Sequence, residues 1–225
     1  MFECVILAGG FGTRLKSISG NIPKPMVKVG DSPFLYKLMR NLEEQGCNNI
    51  VISTHFEADY IIKNISHDKP VSCNIEFVVE DQPLGTGGAI KFASEKIKSD
   101  KFIVINGDTY HDLDYLDFIQ NSNHSDLLIS AVKVDNCSRY GSISVDSEYN
   151  VISLYTNSIS TSGIINSGTY AIKKSDIQSF NADIFSFEDD FLKTYQGKFK
   201  AYINENIFID IGIPEDYHRA CDMFK

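Results

Sequence analysis

Residue types that can hold a phosphate stand close to the start of the chain. The apolar run Val5–Ala8 is followed by the segment 9–15, which contains three glycines together with Thr13 and Arg14. A strand that runs into glycines can bring bare backbone N–H groups against a phosphate, because glycine lets a ligand approach the main chain closely. Arg14 can add a forked and permanently charged contact to phosphate oxygens. The segment therefore favours a phosphate-binding loop.

The spacing separates this loop from two other phosphate-binding loops. No Gly-Lys pair follows Gly9 or Gly10 at the spacing of a P-loop. Gly10 and Gly12 fit the first two positions of a dinucleotide fingerprint, but Leu15 occupies the third. The residues alone leave two interpretations open, a phosphate loop of a third kind and a tight turn.

Two aspartates that follow apolar runs could hold a metal ion. Asp108 follows a run that begins at Phe102, and Asp210 follows Ile207–Ile209. Each carboxylate is expected at the tip of a strand in a buried sheet, where ligands bind beyond the carboxyl ends. Magnesium takes one or two carboxylates together with substrate phosphates and water. The alternative is that each aspartate caps a helix or pairs with a lysine.

The elements that must position these residues alternate between strands and helices up to about residue 110. Short apolar strands followed by helical periodicity indicate a parallel sheet that is buried on both faces. One helix is predicted to start at Asp31-Ser32-Pro33 and to close at Gly46, and another to span Phe187–Tyr195. The second half is richer in alternating strands. The pattern predicts an α/β fold with a mixed, mostly parallel sheet flanked by helices, and a small β-rich lobe.

Composition limits the classes of protein to which the chain can belong. The 225 residues carry a formal net charge of −9, which argues against a nucleic-acid-binding surface because such surfaces are basic. The five cysteines are scattered without a Cys-x-x-Cys pair, so neither a zinc site nor a disulfide framework is indicated. The sequence shows neither a signal peptide nor an apolar run of about 20 residues, which predicts a cytoplasmic protein that does not enter a membrane. The oligomeric state is left open, and a homo-oligomer is one option.

The glycine-rich segment resembles the signature loop of the sugar-nucleotidyltransferases. That family has the pattern Leu-Ala-Gly-Gly-x-Gly-Thr-Arg-Leu, and residues 7–15 meet every fixed position. Its next motif, Pro-Lys-Pro, stands at 23–25. Asn106-Gly107-Asp108 and the segment 208–212 are similar to its two metal-ligand segments. The resemblance extends to Tyr217 and so covers nearly the whole chain.

The resemblance implies a domain organisation and a role for each of these residues. The chain is expected to be a single Rossmann-like domain, 1–225, of the nucleotide-diphospho-sugar transferase fold, with a nucleotide-binding half at about 1–110 and a sugar-binding half at 111–225. The expected catalytic residues are Arg14, Lys24 and Asp108, and the expected Mg²⁺ ligands are Asp108 and Asp210. The expected nucleotide-binding residues are Leu7, Ala8, Gly9, Gly10, Gly12, Thr13 and Arg14 in the first loop and Glu80, Asp81, Gly85, Thr86, Gly87 and Gly88 in a second glycine-rich turn. The expected sugar-binding residues are Asn106, Gly141, Asn166 and Glu188.

The implied reaction is the attack of a sugar 1-phosphate on the α-phosphorus of a nucleoside triphosphate, which gives a nucleoside diphosphate sugar and pyrophosphate. The segments 81–89, 138–141 and 208–217 are most similar to the branch of the family that uses GTP and D-glycero-D-manno-heptose 1-phosphate. The residues do not settle the base. A carboxylate such as Glu80 or Asp81 suits the donors of guanine, whereas the amide of Gln82 would suit uracil or thymine.

Other activities are alternatives to this interpretation. Mannose 1-phosphate guanylyltransferases and glucose 1-phosphate uridylyl- or thymidylyltransferases share most of the motifs. The chain also departs from many relatives at Thr156-Asn157, which take the place of a Glu-Lys pair. A non-catalytic regulatory subunit on the same fold is the alternative from another class. Such a subunit is expected to lose the metal aspartates or the lysine, and this chain keeps Lys24, Asp108 and Asp210.

Overall fold

The computed structural model describes residues 1–137, 140–156 and 162–225. Ser138 and Arg139 of the segment 138–141 lie outside the described residues, as does Asn157. The strands are β1 (Phe2–Leu7), β2 (Lys28–Val29), β3 (Ser32–Pro33), β4 (Cys47–Thr54), β5 (Asn74–Val79), β6 (Lys101–Asn106), β7 (Thr109–His111), β8 (Leu127–Val134), β9 (Ser142–Val145), β10 (Val151–Thr156), β11 (Gly163–Lys173), β12 (Phe199–Asn204) and β13 (Phe208–Asp210). The helices are α1 (Lys16–Ser19), α2 (Phe34–Glu44), α3 (Ala58–His67), α4 (Gly85–Ser94), α5 (Tyr115–Asn121), α6 (Lys174–Gln178) and α7 (Pro214–Met223).

A mixed sheet runs through the centre of the molecule. Its strand order is β10-β9-β11-β6-β1-β4-β5, and β8 pairs with both β11 and β12. Strand β1 lies parallel to β4 and β6, and β4 lies parallel to β5, whereas β11 runs antiparallel to β6. This arrangement confirms the predicted α/β fold with a mixed sheet flanked by helices.

The strands of the second half extend the same sheet. The segment Thr169–Lys173 of β11 pairs with Lys101–Ile105 of β6, and β8, β9 and β12 continue outward from that junction. The hairpin of β9 and β10 forms the edge of the sheet on this side. Because both halves share one sheet, the division near residue 110 stays a prediction.

Apolar side chains cover both faces of the central strands. On β1, Cys4 and Ile6 belong to a buried cluster that includes α2 and α3, while Val5 belongs to a second cluster that includes α4. Successive side chains of a strand point to opposite faces, so a strand that is covered on both sides must be apolar throughout. Polar groups are therefore concentrated where the strands end.

Helix α2 begins at Phe34, so the predicted start at Asp31 is too early. Ser32 and Pro33 instead form β3, which pairs with β2. A proline disfavours the helical conformation in the residue before it, which keeps Ser32 extended. The Asp31 carboxylate accepts a hydrogen bond from Lys37 Nζ at 2.9 Å and does not cap the helix.

The predicted helix Phe187–Tyr195 is present only as two short turns. A π-helical turn spans Phe187–Phe191 and a 3₁₀ turn spans Leu192–Thr194. The rings of Phe187 and Phe191 stack within the first turn with their centroids 5.2 Å apart, and both rings are buried. The aromatic packing, which the sequence does not show, sets the local geometry here.

A short antiparallel ribbon, formed by β7 and β13, carries the two aspartates that the sequence analysis singled out. Asp108 directly precedes β7, and Asp210 is the last residue of β13. The N–H of Ile211 donates to the carbonyl oxygen of Asp108 at 3.0 Å. Residues from distant parts of the chain are thereby brought side by side. The prediction that Asp210 ends a strand of the buried sheet is wrong, because β13 pairs with β7 outside that sheet.

Candidate active site

A cleft of about 450 Å³ opens at the carboxyl ends of β1, β4 and β6. Parallel strands end at one edge of their sheet, and that edge is where ligands bind in open α/β folds. The residues that line the cleft are Leu7, Gly9, Gly10, Phe11, Gly12, Thr13, Arg14, Lys24, Pro25, Ser53, His55, Glu80, Pro83, Gly85, Thr86, Ala89, Asn106, Asp108 and Gly212.

The first glycine-rich loop forms one wall of the cleft. Gly12 has a φ of +59°, which glycine adopts without strain, and a Cβ at this position would lie 2.9 Å from Lys24 Cβ. Leu15 is fully buried and anchors the loop, whereas Thr13 and Arg14 are exposed. The loop therefore packs closely on Lys24 and presents polar groups to the cleft.

Lys24 lies between two carboxylates. Its Nζ donates to Asp108 Oδ2 at 2.5 Å and lies 3.5 Å from Asp210 Oδ1. The Lys24 side chain is only 8% exposed, and Pro23 and Pro25 restrict its backbone on either side. The ammonium group is thus held at one position in the cleft.

The two carboxylates carry more negative charge than Lys24 neutralises. Burial, and after it the nearby Asp108 carboxylate, raises the pKa of Asp210 above its usual range, while Lys24 opposes the shift. The N–H of Gly212 donates to Asp210 Oδ1 at 2.7 Å. A further cation would relieve the excess charge, and carboxylate oxygens are ligands that Mg²⁺ prefers. In the described ranges no group of three or more His, Cys, Asp or Glu side chains could hold a metal, so such a cation would need substrate phosphates and water as its other ligands.

Glu80 contributes a third carboxylate to the site. It is 7% exposed, and its Oε1 accepts a hydrogen bond from Ser53 Oγ at 2.9 Å while its Oε2 accepts one from the N–H of Leu84 at 3.1 Å. The ring of His55 lies against it, with Nδ1 at 2.9 Å from the Glu80 carbonyl oxygen, and the exposed Phe11 ring packs edge-on against His55. Sequence reasoning missed Ser53 and His55. The position of both residues at the carboxyl end of β4 is the signal that could have found them.

The glycines at the start of α4 pack against the segment 183–185, and one of them also lines the cleft. Gly85, with a φ of +73°, lines the cleft, and a Cβ on it would lie 2.4 Å from the Phe185 carbonyl oxygen. A Cβ on Gly87 would lie 2.2 Å from the Phe185 ring, and a Cβ on Gly88 would lie 2.2 Å from the Asp183 carbonyl oxygen. Gly87 and Gly88 therefore allow α4 to pack closely on the segment 183–185, and neither is part of the cleft lining.

Asn166 and Glu188 are joined by the buried hydroxyl of Tyr170. Asn166 Nδ2 donates to Tyr170 Oη at 2.6 Å, and Tyr170 Oη donates to Glu188 Oε1 at 3.1 Å. The other oxygen of Glu188 accepts a hydrogen bond from Thr86 Oγ1 at 2.8 Å, and Thr86 and Asn106 line the cleft. The structure thus connects residues that the sequence assigns to the nucleotide with residues that it assigns to the sugar.

Some residues expected at the site lie outside the cleft lining. Ala8 is buried and donates its N–H to the carbonyl oxygen of Ser53. Asp81 is exposed. Gly141 is partly buried and comes shortly after the undescribed residues 138–139 in the sequence. Asp210, Asn166 and Glu188 are also absent from the lining. Asp210 reaches the cleft through its contact with Lys24, and Glu188 reaches it through Thr86.

A family model described as nucleotidyl transferase matches residues 3–223. The chain belongs to the nucleotidyl transferase family. The chain is therefore a nucleotidyltransferase enzyme.

Relatives with similar lengths carry a more specific name. The chain is 36% identical over 218 residues to the D-glycero-α-D-manno-heptose 1-phosphate guanylyltransferase of Campylobacter jejuni, covering 96% of this chain and 97% of the relative. It is 34% identical over 223 residues to the enzyme of the same name from Aneurinibacillus thermoaerophilus, covering 97% and 96%.

A solved structure closely matches this nucleotidyl transferase. The crystal structure of HddC from Yersinia pseudotuberculosis complexed with GMP-PN is 54% identical, covers the whole of both chains and superposes with a TM-score of 0.94. No helix in the described part of the present chain has the length and apolar character needed to cross a membrane.

Proposed function

We propose that this chain transfers the guanylyl group of GTP to D-glycero-α-D-manno-heptose 1-phosphate and releases pyrophosphate. The observation that carries the proposal is the position of Lys24, which is buried between Asp108 and Asp210 against the glycine-rich loop. This arrangement fixes one ammonium group where an anionic substrate would meet it, beside two carboxylates whose remaining negative charge a bound cation would neutralise. The guanylyltransferase names of the relatives support GTP and the heptose phosphate as the substrates.

Charge neutralisation and positioning account for most of the catalysis. An oxygen of the sugar phosphate attacks the α-phosphorus in line, a new P–O bond forms, and the bond to the leaving pyrophosphate breaks. Both reactants are anions, so fixed positive groups that meet the developing charge lower the barrier. Arg14 and the backbone N–H groups of residues 10–13 hold the β- and γ-phosphates, and Lys24 stabilises the charge that develops around the α-phosphate.

Asp108 and Asp210 hold a divalent cation, for which we propose Mg²⁺. The donor set fits, because two carboxylates share a site where their combined charge exceeds that of Lys24 and where burial already raises the pKa of Asp210. When bound, the cation supplies charge neutralisation for the phosphates. The two aspartates would hold the cation, and the Lys24 ammonium group reduces the repulsion between them.

Glu80 recognises the guanine base. Its two oxygens each accept one hydrogen bond from the protein and retain lone pairs for the N1–H and N2–H₂ donors of guanine. Asp81 is exposed and does not line the cleft, so it does not take this role.

Glu188 and Asn166 bind hydroxyl groups of the sugar. The Tyr170 hydroxyl fixes one oxygen of Glu188 and the amide of Asn166, and Thr86 fixes the other oxygen. Each oxygen of Glu188 keeps a lone pair beyond these contacts. The pair therefore presents a carboxylate and an amide in fixed orientation.

A pyrophosphate-release assay tests this function. Purified protein with Mg²⁺ is given GTP, UTP, dTTP, CTP or ATP, each with heptose, mannose or glucose 1-phosphate. We expect release with GTP and the manno-heptose phosphate, loss of release in Asp108→Asn, and unchanged release in the control Asp31→Asn, whose carboxylate is exposed and paired with Lys37. Release confined to another base or another sugar would contradict the substrate assignment. Nucleotide binding without release from any pair would favour a regulatory subunit.

A further inference from the structure

The aspartate ribbon, which we define as residues 108–111 together with Phe208–Asp210, is a separate two-stranded element. His111 faces Phe208 across the ribbon, and Thr109 faces Asp210. Because the central sheet does not include these strands, something else must set the position of the ribbon relative to that sheet.

The side chain of His111 makes part of that connection, beside the apolar contact of Phe208 with the buried cluster that contains Val132 and Ile165. His111 is 2% exposed and contacts three strands of the central sheet. Its Nδ1 lies 3.0 Å from Ser130 Oγ on β8 and 2.9 Å from Ser167 Oγ on β11, and its Nε2 lies 2.6 Å from Asn204 Oδ1 at the end of β12. The ring also receives the edge of Phe208, with centroids 6.2 Å apart. One side chain thus contacts three strands of the sheet, and its two nitrogens can each form one hydrogen bond there.

The neighbouring hydrogen bonds fix which nitrogen of His111 carries the hydrogen. The backbone N–H of Asn206 donates to Asn204 Oδ1 at 3.2 Å, which identifies that atom as an acceptor. Nε2 must therefore be the donor to Asn204. In the neutral ring Nδ1 accepts a hydrogen from Ser130 Oγ, because Ser167 Oγ donates its hydrogen to the Ser130 carbonyl oxygen at 3.0 Å. Burial lowers the pKa of His111, in keeping with a neutral ring at neutral pH.

Two of the residues that contact His111 are next to parts of the proposed active site in the sequence. Ser167 lies between Asn166 and Gly168 of the segment that is assigned to the sugar. Asn204 and Asn206 hold the turn that leads into β13, since Asn206 Nδ2 also donates to the carbonyl oxygen of Asp112 at 2.8 Å. A shift of His111 would therefore move both strands of the ribbon and the sugar-side segment together.

We propose that His111 is a positioning residue that sets the separation of the Asp108 and Asp210 carboxylates and thereby the affinity of the site for the divalent cation. This inference rests on the proposed function, because it requires that the two aspartates hold that cation. Groups that hydrogen-bond directly to metal ligands change metal affinity by about 10- to 100-fold when they are replaced, and this range is the upper bound for His111, whose contacts reach the two aspartates through the ribbon.

The test measures metal binding without turnover. Binding of Mn²⁺ in the presence of a non-hydrolysable GTP analogue is followed by electron paramagnetic resonance for the wild type, His111→Phe and His111→Gln. Phenylalanine keeps a ring against Phe208 and removes both hydrogen-bonding nitrogens, whereas glutamine can still donate to Asn204. We expect the Kd for Mn²⁺ to rise, by at most about 10- to 100-fold, in His111→Phe and to rise by less in His111→Gln. The glutamine variant keeps the test decisive where the phenylalanine variant does not fold.

A matched control separates positioning from a general loss of stability. Glu3 is a buried polar residue at the amino end of β1, away from the cleft, and its carboxylate accepts hydrogen bonds from Asn49 and from residues 98–99. Glu3→Gln is expected to lower stability and to leave the Mn²⁺ affinity unchanged. An unchanged Kd in both His111 variants, or an equal rise in Glu3→Gln, would overturn the inference alone. Absence of nucleotide-dependent Mn²⁺ binding by the wild type would overturn the metal assignment of the proposed function as well.

Discussion

Replacement of Glu80 by glutamine is expected to remove the preference for guanine while leaving the fold intact. The N–H of Leu84 can only donate, so the amide oxygen of the new side chain must take the place of Oε2. The amide nitrogen then takes the place of Oε1, where Ser53 Oγ can turn and accept. A Cβ on Gly9 would lie 3.3 Å from Oε1, which places this atom beside the loop that lines the cleft. The variant thus presents a donor where guanine requires an acceptor.

The size of the effect follows from the bonds that are lost. A hydrogen bond to a charged group contributes about 1.5–3 kcal/mol. A loss of about 1.4 kcal/mol lowers kcat/KM tenfold. The kcat/KM for GTP should therefore fall by about 10- to 150-fold in Glu80→Gln. Because Ser53 and Leu84 keep their partners, the free energy of unfolding should change little.

The assay compares kcat/KM for GTP and ITP in the wild type and the variant. ITP has the N1–H donor of guanine but lacks the 2-amino group, so the comparison isolates the contact to that group. We expect the wild type to prefer GTP by about tenfold or more, in line with one hydrogen bond to a charged group, and the ratio to approach one in Glu80→Gln. Asp81→Asn is the matched control, since the exposed Asp81 does not line the cleft. An unchanged ratio in Glu80→Gln, or an equal loss in Asp81→Asn, would refute the reasoning.

Further predictions concern stability as well as turnover. Burial, followed by the Asp108 charge, raises the pKa of Asp210, so the ionised carboxylate is less favourable in the folded chain than in the unfolded chain. Its ionisation therefore opposes folding once the pH rises above 3.8, the ordinary pKa of an aspartate. Asp210→Asn should therefore abolish turnover yet raise the melting temperature at pH 7. Thermal melts across pH should show that this gain in melting temperature shrinks as the pH falls toward 3.8. A melting temperature below that of the wild type at pH 7 would contradict the prediction. Glu3→Gln replaces an oxygen that accepts buried hydrogen bonds with an amide nitrogen that can only donate. The free energy of unfolding, measured with urea, should fall by about 1–3 kcal/mol while kcat stays unchanged. An unchanged free energy of unfolding would contradict this prediction. Gly88→Ala places a Cβ 2.2 Å from the Asp183 carbonyl oxygen and should lower stability by about 1–3 kcal/mol in the same assay, whereas full stability would show that α4 can shift at no cost.

The sequence predicted those parts of the site that are formed by residues close together in the chain. The glycines of residues 9–12 form a loop at the end of β1, and Lys24 is restrained by its two prolines. Asp108 follows β6 at the ligand edge of the central sheet, as predicted, whereas Asp210 ends β13 and is brought to Asp108 by the pairing of β13 with β7 outside that sheet. Periodicity also predicted the central α/β architecture, since a strand covered on both faces must be apolar throughout.

Features that depend on pairing between distant segments could not be predicted. Nothing local indicates that Ser32 and Pro33 pair with β2, because their capping and turn preferences favour a helix start equally well. The contacts of Ser53 and His55 with Glu80 depend on the register of β4 against β5. The tie from His111 to β8, β11 and β12 depends on three strands that are far apart in the sequence. A cytoplasmic location and self-association stay predictions.

The most direct measurement of the central claim is a competition experiment. The purified protein is incubated with Mg²⁺, an equimolar mixture of the five nucleoside triphosphates, and equal amounts of heptose, mannose and glucose 1-phosphates, and the products are identified by mass spectrometry. We expect GDP-heptose to accumulate ahead of every other nucleotide sugar, and its formation to cease in Asp108→Asn. Accumulation of a different nucleoside diphosphate sugar, or of GDP-heptose at the same rate in Asp108→Asn, would contradict the account.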